Sequence, residues 1–204
     1  MKQRELEILL QQVPPYEKPV ASLEQYITPP RIAADMIFIA YGFGDIYGKR
    51  VVDLGCGTGI LSVAASAMGA SEVIGVDVDP KCIEIAKSFV RERGFKITFI
   101  TSNISDIDLH ADTIVMNPPF GAQKMNQHAD KLFLRKGLEI APVIYSFHLT
   151  RTIPFIKRLL STLGGEIVFE KKYDFPIKRV FFFHEKEIYY EEVSLIRVAS
   201  SNSR

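Results

Sequence analysis

Residues 51–59 read Val-Val-Asp-Leu-Gly-Cys-Gly-Thr-Gly, a short apolar run that ends in an aspartate and three alternating glycines. The β-branched run is typical of a buried strand, and glycines at its end permit the tight strand-to-helix turn of ligand-binding α/β folds. The spacing is G-x-G-x-G rather than the G-x-G-x-x-G that holds a dinucleotide pyrophosphate. Because Asp53 places a carboxylate beside this loop, the loop favours a ligand with an amine or a sulfonium over an anion.

A second acid follows at the end of the next apolar run. Asp77 closes residues 72–77, eighteen residues after Gly59. A carboxylate there accepts hydrogen bonds from ribose hydroxyls in this type of fold. An amine, a sulfonium and a ribose occur together in S-adenosylmethionine, which we therefore predict as the cofactor. Ser102 and Asn103, after the third predicted strand, lie where a polar side chain can reach the adenine amine, although Asn103 fits a turn equally well.

Short apolar runs alternate with helical patterns over most of the chain. Because such strands are buried on both faces, the alternation predicts an α/β fold with a mostly parallel sheet and helices on both faces. The predicted strands are 51–54, 72–77, 96–101, 113–116, 143–146, 166–170 and a run within 191–198. The predicted helices are 3–13, 31–40, 60–68, 80–94, 129–141 and 152–163. Residues 180–184 and 188–197 have no helix between them and predict an antiparallel hairpin at the sheet edge.

Composition indicates one ordinary domain. The 204 residues are 47% hydrophobic and 24% charged, and no run approaches the length of a membrane span. We interpret residues 1–204 as a single domain, with an N-terminal helical cap and cofactor-covering segment at 1–49 and the α/β core at 50–204. The charged N-terminus is unlike a signal peptide, and two cysteines, Cys56 and Cys82, form neither a disulfide framework nor a zinc site. We expect a cytoplasmic protein without a bound metal.

Net charge is +1, which does not indicate a strongly basic nucleic-acid-binding protein. Between Arg151 and Lys186, however, the sequence has eight basic and four acidic residues, a local excess of four positive charges. A surface that contacts phosphates and an ordinary solvated surface both fit this distribution. Lys178 and Arg179, within this segment, are candidate substrate contacts.

The fourth predicted strand runs directly into Asn117, Pro118, Pro119 and Phe120. Prolines cannot belong to a central strand, so a rigid loop begins at the carboxyl end of the sheet, where ligands bind in such folds. The Asn117 side-chain oxygen and the Pro118 carbonyl can accept the two hydrogens of an exocyclic amine, and Phe120 offers a face on which a base can stack. These four residues are the predicted catalytic residues of an amine methyltransferase.

These two motifs together resemble the class I S-adenosylmethionine-dependent methyltransferases, whose fold is Rossmann-like. Three further segments narrow the resemblance: Leu23-Glu24-Gln25-Tyr26-Ile27-Thr28-Pro29, Tyr145-Ser146-Phe147-His148 and Tyr173-Asp174-Phe175-Pro176. With them, the chain is similar to the archaeal and eukaryotic methyltransferase-like family that makes N6-methyladenosine in small-subunit ribosomal RNA. The resemblance covers nearly the whole chain and implies rRNA as a substrate, with no role in binding DNA or membranes.

The resemblance also assigns residues. It implies that a cofactor-binding set holds S-adenosylmethionine, with Asp77 at the ribose, Ser102 and Asn103 at the adenine, and Asn117 near the target base. An acidic residue is common where this chain has Asn103. The resemblance further implies a heterodimer with a small zinc-binding activator protein. The run Phe181-Phe182-Phe183 is compatible with such a contact, although a buried strand explains that run better. The other members of the set are Gln25, Tyr26, Thr28, Asp53, Gly55, Gly57, Thr58, Gly59 and Ile60.

Several assignments stay open. Lys124 and His128 follow the catalytic motif and are candidate substrate contacts together with Phe120, whereas His148 and His184 are more typical of structural histidines. Motifs of the Asn-Pro-Pro type also serve guanine-N2 methylation of RNA and glutamine methylation of proteins. A non-catalytic cofactor-binding scaffold is an alternative of another class, and an NAD-dependent reductase is disfavoured by the glycine spacing.

Overall fold

The computed structural model describes residues 1–16, 20, 24–120, 129–178 and 188–200, which contain seven strands and six α-helices. The strands β1 to β7 are Arg50–Leu54, Glu72–Asp77, Thr98–Thr101, Thr113–Met116, Val143–Leu149, Gly165–Lys178 and Ile188–Ser200. The helices α1 to α6 are Gln3–Leu10, Pro30–Gly42, Ile60–Ala67, Pro80–Arg93, Ala129–Ile140 and Ile153–Leu163.

The strands form one mixed sheet in the order β3-β2-β1-β4-β5-β7-β6. The first five strands in this order are parallel to one another, whereas β7 pairs antiparallel with both β5 and β6. The carboxyl ends of β1, β2 and β4 therefore lie side by side, and the predicted glycine loop, Asp77 and Asn117 follow these three ends. This confirms the predicted fold class.

Two apolar layers cover the sheet because successive strand residues face opposite sides. In β4, Val115 packs with α1 to α4, whereas Ile114 and Met116 pack with α5 and α6 on the other face. All three side chains are fully buried. Burial on both faces explains why β4 is continuously apolar rather than alternating, and it fixes the point at which the chain leaves the sheet at Asn117.

Element ends differ from the sequence prediction where tertiary pairing decides them. Helix α1 ends at Leu10 instead of residue 13, because the proline at position 14 disfavours a helical residue before it. Strand β6 runs eight residues beyond the predicted end at 170, since β7 supplies a partner throughout. Of the predicted hairpin, 188–197 lies in β7, an interior strand, and 180–184 lies outside the described residues. The single-domain interpretation of 1–204 stays a prediction.

Candidate functional site

The glycine loop is fastened to the end of β2 by backbone hydrogen bonds. The Gly55 amide donates to the Val76 carbonyl at 2.8 Å, and the Gly57 amide donates to Asp77 Oδ2, also at 2.8 Å. Gly57 has φ +53°, and a Cβ atom on it would collide with the hydroxyl of Tyr16. Gly59, with φ +90°, begins helix α3. Glycine is required at both positions because the backbone is left-handed there.

Asp77 joins this loop to the turn after β2. Its second oxygen, Oδ1, accepts a hydrogen bond from the Asp79 amide at 2.9 Å, so each carboxylate oxygen accepts one from a backbone amide. Burial raises the pKa of Asp77, and the two backbone hydrogen bonds oppose that change. Each carboxylate oxygen can accept a further hydrogen bond, which leaves the group able to bind ribose hydroxyls as predicted.

Asp53 is buried with one oxygen satisfied and the other free. Oδ2 accepts from the Ser62 amide at 2.9 Å and the Ser62 hydroxyl at 2.6 Å, whereas buried Oδ1 has no partner among the described residues. Burial raises the pKa of Asp53 to about 7, and the negative charge of Asp77 contributes in the same direction. A cationic ligand group beside Oδ1 would supply the missing interaction.

A cavity of about 350 Å³, including its open mouth, lies where these elements meet. Two buried acceptors that have no partner within the described ranges, Asp53 Oδ1 and Asn117 Oδ1, belong to residues that line it. The site thus fits a cofactor that brings an amine and a reaction that brings an N–H group. The lining residues are Tyr16, Tyr26, Ile27, Thr28, Asp53, Gly55, Cys56, Thr58, Ile60, Leu61 and Asn117.

Asn117 leaves the sheet directly after β4, with its two side-chain ends in different surroundings. The amide nitrogen Nδ2 donates to the Thr28 hydroxyl oxygen at 2.9 Å. The amide oxygen Oδ1 is buried and has no hydrogen-bond partner in the part of the chain that the structure describes. A free acceptor at this position is what a group that binds an exocyclic amine must provide.

Phe120 belongs to a chain of aromatic contacts. Its ring centre lies 5.8 Å from that of Phe175, edge to face, and Phe175 packs in turn against Phe147 at 6.0 Å. Phe175 and Phe147 are fully buried, whereas Phe120 is half-buried. The Tyr-Asp-Phe-Pro segment of β6 therefore supports the ring that the sequence predicts to stack on a base.

Six predicted cofactor residues lie outside the cavity lining: Gln25, Gly57, Gly59, Asp77, Ser102 and Asn103. Gln25, Ser102 and Asn103 hold loops in place. Gln25 Nε2 donates to Asp79 Oδ2 at 2.8 Å, and Gln25 Oε1 accepts the amide of residue 20 at 2.7 Å. The Ser102 hydroxyl donates to the Asn103 carbonyl, while Asn103 Oδ1 accepts from Ser105 and caps a 3₁₀ turn. Asn103 thus has the turn role that was the alternative in the sequence.

Sequence reasoning missed four residues that line the cavity: Ile27, Cys56, Leu61 and Tyr16. Tyr16 contacts the glycine loop from a distant part of the chain. Its hydroxyl lies over Gly57 and near Asp77 and Asp53, and burial, with the charge of Asp77 next, raises the pKa of that hydroxyl. No local signal marks Tyr16, since it lies outside regular elements and follows two prolines. Its contact with Gly57 exists only because the chain before α2 returns to the end of the sheet.

His148 joins β5 to the first turn of α5. His148 Nε2 lies 2.7 Å from the Ser146 hydroxyl, and Nδ1 lies 2.5 Å from Asp130 Oδ1. This order of groups resembles a hydrolase triad, but Ser146 is fully buried and inaccessible to a substrate. The three residues therefore connect the sheet to the helix that follows the catalytic motif.

Removing the acceptor of His148 will destabilise the fold. We expect Asp130→Ala to lower the free energy of unfolding by about 1–3 kcal/mol, because a buried imidazole N–H loses its partner. Urea unfolding measures the change, with Lys131→Ala, at the neighbouring exposed position, as the control. Equal stability of the Asp130 variant and wild type would contradict a structural role.

The basic segment is partly neutralised by ion pairs. Arg151 pairs with Glu191 at 2.8 Å and Lys172 with Glu192 at 3.1 Å, and Lys171 pairs with Asp35. Pairing reduces the charge that these side chains offer to phosphates. Lys124, His128, Arg179 and the Phe181-Phe182-Phe183 run lie outside the described residues, as does the side chain of Lys178. In the part of the chain described, no helix is both long and apolar enough to cross a membrane.

Comparisons with known proteins agree with this geometry. Residues 39–140 match the methyltransferase small domain. The rRNA N6-adenosine-methyltransferase METTL5 of Danio rerio is 36% identical over 206 residues, which cover 97% of this chain and 98% of the relative. The Drosophila melanogaster Mettl5 protein of the same description is 35% identical over 197 residues, covering 92% and 91%.

A solved structure shows the same similarity. The crystal structure of a proposed RNA methyltransferase from Pyrococcus horikoshii matches this chain with a TM-score of 0.91 and 35% sequence identity, covering 98% of both chains. These findings confirm the resemblance drawn from the motifs and the predicted cofactor. This chain therefore belongs to the methyltransferase small-domain family and is an S-adenosylmethionine-dependent methyltransferase.

Proposed function

We propose that this chain transfers the methyl group of S-adenosylmethionine to the N6 amine of an adenosine in ribosomal RNA. The observation that carries the proposal is the free, buried Asn117 Oδ1 at the cofactor cavity. The relatives named above, which cover nearly the whole chain, are rRNA N6-adenosine methyltransferases, and this supports the same substrate here.

An aromatic amine is a poor nucleophile because its lone pair is delocalised into the ring. Asn117 Oδ1 and the Pro118 carbonyl would accept the two N–H groups and favour a pyramidal nitrogen as the new bond forms. The two prolines fix φ, so these acceptors are in position before the base arrives. The amine can lose its proton to water after the transfer, and the reaction therefore needs no general base.

The cofactor supplies an electrophilic methyl group on a sulfonium, and this chain's residues bind and orient it. We assign the ribose to Asp77, the amine of the methionine moiety to Asp53 Oδ1, and close backbone contact to Gly55 and Gly57. The free Asp53 oxygen and the left-handed glycines support these assignments. Thr58 and Ile60 line the same cavity.

Phe120 is the proposed stacking surface for the target base. An adenine in a folded RNA must leave its stack to reach a buried amide, and an aromatic face stabilises an extruded base by about 1–3 kcal/mol. Phe175 packs perpendicular to the Phe120 ring, so the ring has a defined orientation before RNA binds.

The test is a transfer assay with the purified chain, alone and with a candidate activator. The chain is incubated with tritium-labelled S-adenosylmethionine and deproteinised small-subunit rRNA, and the RNA is digested to nucleosides. Label in N6-methyladenosine supports the proposal. Label in N2-methylguanosine or in added protein would show that the substrate is a guanosine or a protein instead. Cofactor binding without any transfer would favour a scaffold role.

Cofactor affinity will depend on pH through Asp53. Its raised pKa of about 7 means that Asp53 binds a proton below pH 7 in the folded, cofactor-free protein. The fold therefore gains stability as pH falls from 7 towards the unfolded pKa of about 4. A cationic amine favours the carboxylate, so binding below pH 7 releases the proton. We therefore expect the Kd to rise about tenfold per pH unit below 7.

Calorimetry between pH 5.5 and 7.5 measures this dependence. The cofactor's own amine, with a pKa of about 7.7–8.0, stays mostly protonated over this range. Asp53→Asn, which cannot ionise, should bind weakly and with a flat profile. A slope in the asparagine variant equal to that of wild type would assign the proton to another group, with Asp77 as the nearest acidic neighbour.

We further propose a complex with a small zinc-binding activator. The resemblance implies this partner. Among the described strands, none pairs with the outer side of β3 or of β6, at the two ends of the sheet order, and a strand of a partner can add there. Co-expression with a candidate activator followed by size-exclusion chromatography tests the complex. The proposed ribosomal substrate also agrees with the cytoplasmic location predicted from the sequence.

A further inference from the structure

Thr28 and Asn117 form a contact that connects two distant parts of the chain. The Thr28 hydroxyl oxygen accepts a hydrogen bond from Asn117 Nδ2 at 2.9 Å across 89 positions of sequence. Thr28 is 4% exposed and lines the cofactor cavity together with Asn117. The contact therefore lies inside the site and joins the N-terminal segment that contains Thr28 to the catalytic loop that begins at Asn117.

The orientation of the Asn117 amide decides whether the residue can act. Its oxygen end accepts an amine hydrogen, whereas its nitrogen end can only donate and would repel one. The bond to Thr28 gives the nitrogen end a partner and leaves Oδ1 free. Without an acceptor at position 28, a buried N–H group would lose its hydrogen bond, and the amide would turn to find another.

Thr28 is itself held from both sides. Gln25, three residues earlier, bonds to Asp79 beside the Asp77 turn, and Pro30, two residues later, begins α2. The hydroxyl at position 28 is thus fixed relative to both the cofactor loop and the catalytic loop. Such fixed support is what keeps a reacting group in its productive geometry.

We propose that Thr28 is a positioning residue for methyl transfer, which acts by orienting the Asn117 amide. This inference rests on the proposed function. It differs from the cofactor contact that the resemblance implies for Thr28, because it assigns the hydroxyl to the transfer step. The two roles predict different kinetics, since a cofactor ligand affects affinity and a positioning residue affects the rate at saturation.

The test compares Thr28→Val, which keeps the shape but removes the acceptor, with Thr28→Ser, which keeps the hydroxyl. We expect valine to lower the rate at saturating cofactor and RNA by about ten- to a hundredfold. The cofactor Kd, measured by calorimetry, should stay within about threefold of wild type, and serine should restore the rate to within about threefold. Thr28→Ala repeats the test if valine prevents folding.

Thr113→Val is the matched control. The Thr113 hydroxyl is buried like that of Thr28, but it lies at the amino end of β4 and donates to the Asp45 carbonyl. Its rate should equal that of wild type. A Thr28→Val rate that recovers at high cofactor concentration would assign Thr28 to cofactor binding and overturn the proposal, as would a serine variant as slow as valine. An inactive wild type would refute the proposed function itself, whereas an active wild type with a fully active valine variant would refute only this inference.

Discussion

Replacing Asn117 with alanine will lower the rate of methyl transfer by roughly two to three orders of magnitude. The variant loses the acceptor that holds the amine and favours its pyramidal form. Cofactor affinity should remain within about threefold of wild type, because Asp77, Asp53 and the glycine loop are unchanged. Single-turnover transfer of labelled methyl groups and calorimetry with the cofactor measure the two quantities separately.

Asn117→Asp is the informative companion to the alanine variant. The aspartate keeps an oxygen acceptor but has no amide hydrogen to donate to Thr28. We expect transfer between that of alanine and wild type. Undiminished turnover in Asn117→Ala would refute the proposed mechanism, and equal loss of cofactor binding would show that Asn117 serves the cofactor instead.

The parts of the site that depend on short stretches of sequence could be predicted. The glycine loop follows β1 directly, Asp77 ends β2, and Asn117 ends β4, so the order of elements alone brings them to one edge of the sheet. The parallel arrangement follows from the apolar strands between helices. These positions depend on local periodicity and on topology, which sequence patterns specify well.

Contacts between distant segments could not be predicted in the same way. Phe120 packs on Phe175, and Asn117 bonds to Thr28, because folding brings together segments that are distant in the sequence. Thr28 was predicted to contact the cofactor only because its motif resembles that of the family, and no sequence pattern indicated a role for Tyr16. The length of β6 was also missed, because pairing with β7 along its whole length decides it.

Replacing Asp77 with alanine will have the largest effect on cofactor binding. The carboxylate accepts the Gly57 and Asp79 amides, and we assign the ribose hydroxyls to the same oxygens. Hydrogen bonds to a charged group are worth about 1.5–3 kcal/mol each. Loss of the ribose contacts and of the bond that holds the glycine loop should raise the cofactor Kd by about a hundredfold or more.

Two further variants separate binding from stability. Asp77→Asn keeps one oxygen but sets an amide N–H group against a backbone N–H, so its Kd should lie between those of wild type and alanine. Asp112→Ala is the matched control, since Asp112 also accepts a backbone amide, that of Arg50, but at the amino end of β1. Its cofactor Kd should equal that of wild type. If calorimetry shows the same, wild-type Kd for Asp77→Ala and Asp112→Ala, Asp77 contributes nothing to cofactor binding and the ribose is bound elsewhere.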